Sequence, residues 1–350
     1  MKNIIKSLVV ILSSISLFST AYAGELSVTG TAKATYNITS GYANAEPGIG
    51  INNHIDFTGT GETDFGAFKY QIQMEPSSAG AQTIADQSLT LTTAYGTLGA
   101  FVSEGGLDLE DGASRSVYAR PTDTGDPSAT VDNPDISSYS NVQYHTPAGM
   151  LPFGAVFKIA YAPNTDTTIN DSNATGATHA PAAGTFANVT AYQITATPID
   201  GISIGANYME VGEQGVSGTK DVQKQESGAA YIKYDMGAFG FGYSKALYAP
   251  ASTTSVAQTV EYYDQDNLSV AFNVNENLSL SYEIERSERV TAETAGAAQS
   301  ANVEQETRGI QAAYTVGGMT LAVSHANHDN VGYATGKDAT NTVFAVTMAF

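Results

Sequence analysis

The chain of 350 residues contains no cysteine and no tryptophan. Without cysteine, neither a disulfide framework nor a thiolate metal site can form. Basic residues are scarce as well, since 15 Lys and Arg stand against 35 Asp and Glu, for a formal net charge of −20. This acidity repels phosphate groups, so it argues against nucleic acid and anionic lipid as partners.

The sequence also lacks a long apolar run. Its most apolar stretch, Leu8 to Phe18, is about half of the roughly 20 residues that a membrane-spanning helix needs. Two lysines precede this stretch and the small-residue site Ala21-Tyr22-Ala23 follows it, which is the pattern of a secretory signal peptide. We therefore expect residues 1–23 to be cleaved and residues 24–350 to form a single exported domain.

Apolar and polar residues alternate along most of the remaining chain. Successive side chains of a strand point to opposite faces, so alternation predicts strands with one apolar and one polar face. In residues 68–75 the two faces carry Phe68, Tyr70, Ile72 and Met74 against Lys69, Gln71, Gln73 and Glu75. A mean hydropathy of −0.13 is too polar for helices in lipid but suits a barrel with a water-filled interior.

About 16 such segments follow one another, and their connections fall into two classes. Short connections such as Gly237-Ala238 and Gly317-Gly318 contain turn-forming residues and are expected on the periplasmic side. Long polar connections such as Asn164–Thr185 are expected outside. The predicted fold is all-β, a 16-stranded antiparallel transmembrane β-barrel with long outside loops and short periplasmic turns. Segments Phe153–Tyr161 and Leu278–Arg286 are two of its predicted strands.

The last residues of the chain keep the alternation up to the final atom. Large apolar side chains share one face of this predicted strand, at Phe344, Val346, Met348 and Phe350. We expect this face to contact outer-membrane lipid, and the strand to pair with Leu26–Tyr36 so that the sheet has no open edge. Small residues at Gly30, Ala32 and Ala34 on that first strand would let a second barrel approach closely.

One long connection is unusually acidic. It runs from Glu104 to Ser138, after the fifth predicted strand, and a structureless loop of about 35 residues needs a reason in a compact fold. Its acidic residues are Glu104, Asp108, Glu110, Asp111, Asp123, Asp126, Asp132 and Asp135. Its basic residues are Arg115 and Arg120.

The order of these parts resembles the trimeric general porins of Gram-negative outer membranes. The resemblance extends over the whole chain after the expected signal peptide. The segments that carry it are Leu26-Ser27-Val28-Thr29-Gly30, Ala94-Tyr95-Gly96-Thr97-Leu98-Gly99, Ser140-Asn141-Val142-Gln143-Tyr144-His145-Thr146-Pro147 and the final Phe350. It implies that the third outside loop folds inward and narrows a pore, with Glu104, Asp108, Glu110 and Asp111 on its acidic side. It also implies a homotrimer, and a terminal aromatic residue that the barrel assembly machinery reads as an assembly signal.

The chain departs from that family on the wall opposite the loop. The family resemblance leads one to expect several arginines there, whereas this sequence offers Lys33, Lys69 and Lys158. Carboxylates in a narrow pore attract cations and repel anions. We therefore expect a cation-selective outer-membrane diffusion channel for small hydrophilic solutes and ions, which needs no cofactor.

Three alternatives remain open from the sequence. A calcium ion could be held by Asp108, Glu110 and Asp111, because carboxylates suit this hard cation. A substrate-specific channel is the second alternative, although Tyr and Phe fall largely on the lipid-facing parity. The third is a barrel hydrolase using His54 and Asp56, for which no serine stands in a recognisable nucleophile context. We expect no enzymatic activity.

Overall fold

The computed structural model describes residues 24–42, 47–76, 82–123, 133–163, 187–212, 222–252, 259–292 and 302–350. The expected signal peptide, residues 1–23, lies outside these ranges, and so do large parts of the predicted outside loops. Among the described residues, no helix has the length and apolar character needed to cross a membrane.

Sixteen strands form one closed antiparallel barrel in which each strand pairs with its neighbours in sequence and the last pairs with the first. The strands are β1 Glu25–Gly41, β2 Gly48–Thr63, β3 Gly66–Pro76, β4 Gln82–Thr93, β5 Gly96–Val102, β6 Asn141–His145, β7 Val156–Ala162, β8 Val189–Ile199, β9 Ile202–Val211, β10 Glu226–Met236, β11 Phe239–Ala249, β12 Val260–Asn273, β13 Leu278–Thr291, β14 Val303–Val316, β15 Met319–Asp329 and β16 Ala339–Ala349. The predicted 16-stranded barrel is confirmed.

The two faces of the wall differ as the alternation predicts. Large apolar side chains are exposed on the outer face, among them Ile51, Tyr70, Leu89, Ile194, Tyr243, Leu268, Tyr282, Ile310, Leu321 and Phe344. Polar side chains that face the interior are buried, among them Ser88, Gln143, Gln193, Ser244, Asn267, Ser281, Thr307 and Ser324. This arrangement suits a wall between lipid and an internal polar space, and it reverses the pattern of a soluble barrel.

The final residue helps to close the barrel. The backbone N–H of Phe350 donates to the carbonyl of Gly30 and the N–H of Gly30 donates to the carbonyl of Phe350, each over 2.9 Å. A Cβ at Gly30 would lie 2.8 Å from the Phe350 ring, so only glycine lets the aromatic ring lie against the strand. Gly30 is therefore covered by Phe350, so the expectation that it lets a second barrel approach closely, together with Ala32 and Ala34, is wrong for this residue.

Two predicted boundaries were wrong for identifiable reasons. Strand β13 continues to Thr291 instead of ending at Arg286, because charged side chains above the apolar belt join neighbouring strands. Arg286 Nε, for example, lies 2.6 Å from Glu306 Oε2 on β14. Strand β7 begins at Val156, after a 3-10 turn over Pro152–Gly154 in which Phe153 has a φ of 60°.

Candidate functional site

The described parts of the connection between β5 and β6, residues 103–123 and 133–140, lie against the interior wall, and we call them the inner loop. It contains 3-10 helices at Glu110–Ala113, Pro121–Asp123 and Ile136–Ser138. Its backbone bonds to inward-facing side chains of four consecutive strands. Ser244 Oγ on β11 donates to Glu110 O, Ser269 Oγ on β12 donates to Ala113 O, Val117 N donates to Ser281 Oγ on β13, and Tyr118 N donates to Gln311 Oε1 on β14, over 2.8, 2.9, 3.0 and 3.0 Å.

The contact between loop and wall is very close at β11. A Cβ at Gly242 would fall 1.8 Å from the carbonyl oxygen of Ala113. Glycine is therefore needed at this position for the helix Glu110–Ala113 to reach the wall.

The two ends of the inner loop are tied together by Asp135. Its carboxylate accepts from the N–H of Leu107 over 3.0 and 3.1 Å and from the N–H of Ser137 over 3.3 Å. Leu107 and Ile136 are fully buried beside this link. They pack on an apolar patch of the interior wall formed by Ala160, Ala162, Val189, Ala191, Met209 and Val211 of β7 to β9. Burial of apolar side chains thus anchors the base of the loop.

Glu283 on β13 anchors the middle of the loop. This carboxylate is fully buried, and it accepts hydrogen bonds from Ser114 Oγ over 2.8 Å and from Ser116 Oγ over 2.5 Å. Asn267 on β12 donates a third. In the described parts of the chain no lysine or arginine is ion-paired with Glu283, so neutral donors alone stabilise it. Hydrogen bonds to a charged acceptor are the stronger kind, which suits a structural anchor.

Arg120 is the centre of a second, ionic anchor. Its guanidinium is paired with Glu110, Asp111, Asp123 and Glu285, with separations of 3.6 Å to Glu110, 3.0 Å to Asp123 and 3.9 Å to Glu285. Burial would lower the pKa of Arg120, but Asp111, Glu285 and Asp123 outweigh it and raise this pKa above its ordinary value. The arginine therefore keeps its charge inside the barrel.

The wall partner of this cluster is Glu285, two residues beyond Glu283 on the same face of β13. One Glu285 oxygen accepts from Thr122 N over 3.1 Å and the other from Thr122 Oγ1 over 2.7 Å. Within the loop, Glu110 Oε2 accepts from Asn133 N over 2.7 Å. The predicted pore residues Glu110 and Asp111 are therefore engaged in holding the loop.

Carboxylates also gather on the side of the wall formed by β2 to β5. Asp56 on β2 and Asp86 on β4 both pair with Gln73 of the intervening β3, so all three share the interior face. Glu104, Glu75 and Asp56 are all close enough to Asp86 to repel its charge. Among the described residues, neither Asp86 nor Glu104 forms an ion pair with a lysine or arginine. This group, which we call the acidic wall, consists of Asp56, Glu75, Asp86 and Glu104.

The predicted basic residues are not gathered in one place. The ammonium of Lys33 on β1 lies 5.6 Å from the centre of the Tyr118 ring, at the edge of the inner loop. Lys69 is exposed on β3 between Thr60 and Thr90. Lys158 is half-buried on β7, within electrostatic range of Asp135. Arg115 is paired with Asp235 of β10.

The remaining predicted residues occupy ordinary positions. Asp108 is partly exposed in the inner loop, and Asp126 and Asp132 lie outside the described residues. No group of three metal-ligating side chains occurs in the ranges that the structure describes. The calcium site thus stays a prediction. Phe344, Met348 and Phe350 are exposed on the outer surface and Val346 is partly exposed, but their use as an assembly signal also stays a prediction.

A closed antiparallel barrel with an apolar exterior satisfies every strand's backbone hydrogen bonds without an edge, as a structure in lipid must. The fold is that of a multi-pass β-barrel protein of the outer membrane. No protein-family model matches the sequence, and no curated protein matches it either.

Solved structures of other proteins share this fold at low sequence identity. An anion-selective porin from Comamonas acidovorans is 12% identical and has a TM-score of 0.64, with 93% of this chain and 100% of that one covered. The OmpF of Salmonella typhi in complex with daunomycin is 13% identical with a TM-score of 0.63, over 94% of this chain and 98% of that one. The trimer form of OmpT, an outer-membrane protein of Vibrio cholerae, is 13% identical with a TM-score of 0.61, over 94% and 100%.

Proposed function

We propose that the protein is a porin, a water-filled channel through which small hydrophilic solutes and ions diffuse across the outer membrane, with a preference for cations. The observation that carries the preference is the gathering of four carboxylates in the acidic wall, whereas the predicted basic residues are not gathered in one place. Arg115 and Arg120 are ion-paired with carboxylates. In the described part of the chain, Asp86 and Glu104 of the acidic wall have no lysine or arginine as an ion-pair partner.

The sign of the selectivity comes from these side chains and not from the barrel. One solved structure with the same fold is an anion-selective porin, so the fold is compatible with either sign. A carboxylate beside a narrow aqueous path lowers the energy of a passing cation and raises that of an anion. A carboxylate without an ion-pair partner attracts passing cations, whereas the charge of an ion-paired carboxylate is largely offset by its partner.

Reversal potentials test this proposal. The purified protein is inserted into a planar bilayer that separates two KCl concentrations, and the zero-current voltage is measured. We expect a voltage with the sign of potassium permeation, larger at low ionic strength because screening is weaker there. Conductance steps together with a zero-current voltage of the sign of chloride permeation would contradict the cation preference. Absence of any conductance would contradict the channel.

We also propose a homotrimer. A solved structure of the same fold is described as a trimer form, and the outer face of β1 and β2 exposes Ala34, Ile49 and Ile51 without charged neighbours of the same parity. Such a surface suits contact with another copy as well as lipid. Migration on a denaturing gel with and without boiling distinguishes the two states, since a trimer dissociates on heating to a band of one third of the mass.

Catalysis forms no part of the proposal. Among the described residues, the arrangement predicted as a possible catalytic group is His54, whose Nδ1 lies 3.0 Å from Thr31 Oγ1 and whose Nε2 lies 3.7 Å from Asp56 Oδ2. The second distance is too long for a hydrogen bond, so the carboxylate does not orient the ring as a catalytic triad requires. Ester hydrolysis by the purified protein is expected to stay at the background rate.

A further inference from the structure

Three tyrosines lie side by side on the interior wall near its outside end, and we call them the tyrosine row. Tyr248 on β11 pairs directly with Tyr263 on β12, and their rings are nearly parallel, with centres 5.8 Å apart and an angle of 12°. Both belong to the inward parity, two residues from the buried Ala246 and Gln265. Tyr333, from the connection between β15 and β16, places its ring centre 5.3 Å from that of Tyr263.

Tyr333 is held in this position by the wall. Its hydroxyl lies 2.7 Å from Ser287 Oγ, and its carbonyl accepts from Arg289 Nη2 over 3.4 Å. The Arg289 guanidinium also lies over the Tyr333 ring, 5.2 Å from its centre. The backbone of Tyr333 has a φ of 58°, which is costly for a residue with a side chain. The surrounding contacts offset that cost, so the inward ring is a built feature of the wall.

The tyrosine row lies between the outside end of the barrel and the inner loop. Ser287 and Arg289 continue the inward-facing column of β13 that contains Glu283 and Glu285, the anchors of that loop. Arg289 lies four positions beyond Glu285 on β13, or about 13 Å along the wall. If the barrel conducts as proposed above, a solute coming from outside meets the row before it reaches the inner loop.

We propose that the tyrosine row is a binding subsite for neutral carbohydrate rings, in which the partly exposed Tyr248 and Tyr263 form the stacking surface and the buried Tyr333 supports them. A sugar ring has an apolar C–H face that can lie on a flat aromatic surface and hydroxyls at its rim, and tyrosine offers a matching ring with a polar tip. Within the described residues, the hydroxyls of Tyr248 and Tyr263 have no hydrogen-bond partner, so they can bond to a solute. Arg289 disfavours cations at this point, and the net charge of −20 disfavours anions.

Calorimetric titration of the detergent-solubilised protein with a neutral glucose trisaccharide tests the subsite without any need for ion flow. We expect saturable binding. Tyr263→Ala should weaken the affinity about tenfold, because one stacking surface is removed. Tyr263→Phe should keep most of the affinity. The matched control is Tyr262→Ala, which removes the neighbouring ring on the outer face and should leave the affinity unchanged.

The outcomes separate this inference from the proposed channel function, on which its place along a solute path rests. Absence of saturable binding, equal affinity of Tyr263→Ala and the wild type, or an equal loss in Tyr262→Ala would overturn the subsite. Conductance in a planar bilayer is measured separately, so binding without conductance contradicts the channel alone. Each variant is first checked for heat-modifiable migration, and Tyr248→Ala replaces Tyr263→Ala if the latter does not fold.

Discussion

Carboxylates occur on two roughly opposite sides of the interior wall, in different surroundings. On β13, Glu283 and Glu285 are buried under the inner loop and accept hydrogen bonds from its serines and threonine. Beside β2 to β5, Asp86 of β4 and Glu104 at the start of the inner loop are partly exposed, and in the described part of the chain they have no lysine or arginine as an ion-pair partner. Glu283 and Glu285 are hydrogen-bonded to the inner loop, whereas Asp86 and Glu104 remain available to ions.

The comparison teaches that the count of acidic residues does not predict their roles. A carboxylate that must be desolvated is stable only if donors surround it, and those donors then fix the neighbouring chain. A carboxylate that stays in contact with water keeps its long-range field. Substitutions on the two sides should therefore change different quantities, loop position and stability on β13 but ion selectivity on the acidic wall.

The largest effect should come from Arg120→Ala. Removing this guanidinium leaves Glu110 and Glu285 buried near one another without their cation, and breaking a buried ion pair costs about 3–5 kcal/mol. We expect a lower urea concentration at the midpoint of unfolding and altered single-channel conductance, because the loop loses its ionic anchor.

Arg115→Ala is the matched control for that substitution. Arg115 belongs to the same loop, but its partner Asp235 has a side chain that is 61% exposed. The expected loss is below about 1 kcal/mol. Similar losses in the two variants would contradict the assignment of Arg120 as the central anchor.

Glu283→Gln should have the next largest effect. The substitution keeps the shape but removes the charge that strengthens the bonds from Ser114, Ser116 and Asn267. Hydrogen bonds to charged groups contribute about 1.5–3 kcal/mol, so a loss within this range is expected in the same unfolding measurement. Glu288→Gln, on the outer face of the same strand, should leave stability and conductance unchanged. An unchanged Glu283→Gln protein would mean that the loop does not depend on this anchor.

The barrel was predictable because its signal is local. Period-two alternation and turn residues identify each strand, and the need to avoid an open edge predicts that the last strand pairs with the first, although not the register that sets Phe344 opposite Tyr36. The anchors were not predictable in this way. Ser114 and Glu283 are 169 residues apart in the chain, and nothing in either neighbourhood indicates that they meet.

The tyrosine row shows a different limit of the sequence prediction. Tyr and Phe were expected largely on the lipid side, but Tyr262 and Tyr263 are consecutive and must face opposite ways. Asn267 and Ser269 on the parity of Tyr263, against Leu268 and Val270 on that of Tyr262, were a signal that the Tyr263 ring faces inward. The position of Tyr333 had no such signal, because its connection is held by contacts with β13.

Neutralising the acidic wall should change selectivity without changing stability. In the double variant Asp86→Asn with Glu104→Gln, the ratio of potassium to chloride permeability should fall about fivefold, the equivalent of about 1 kcal/mol of lost attraction. Reversal potentials measure this ratio. Glu276→Gln, in the turn between β12 and β13, is the control and should keep the wild-type ratio. A double variant with wild-type selectivity and reduced stability would reverse the roles given to the two sides.

The smallest effect should come from Lys33→Ala, which tests where the basic side of the pore lies. Lys33 lies near the Tyr118 ring at the edge of the inner loop, whereas Lys69 is exposed to water on β3. A charge beside the loop is screened less than one surrounded by water, so Lys33→Ala should raise the cation preference slightly and Lys69→Ala should raise it less. Reversal potentials at low ionic strength can resolve the difference. A larger effect of Lys69→Ala would move the basic side from β1 to β3, directly beside the acidic wall.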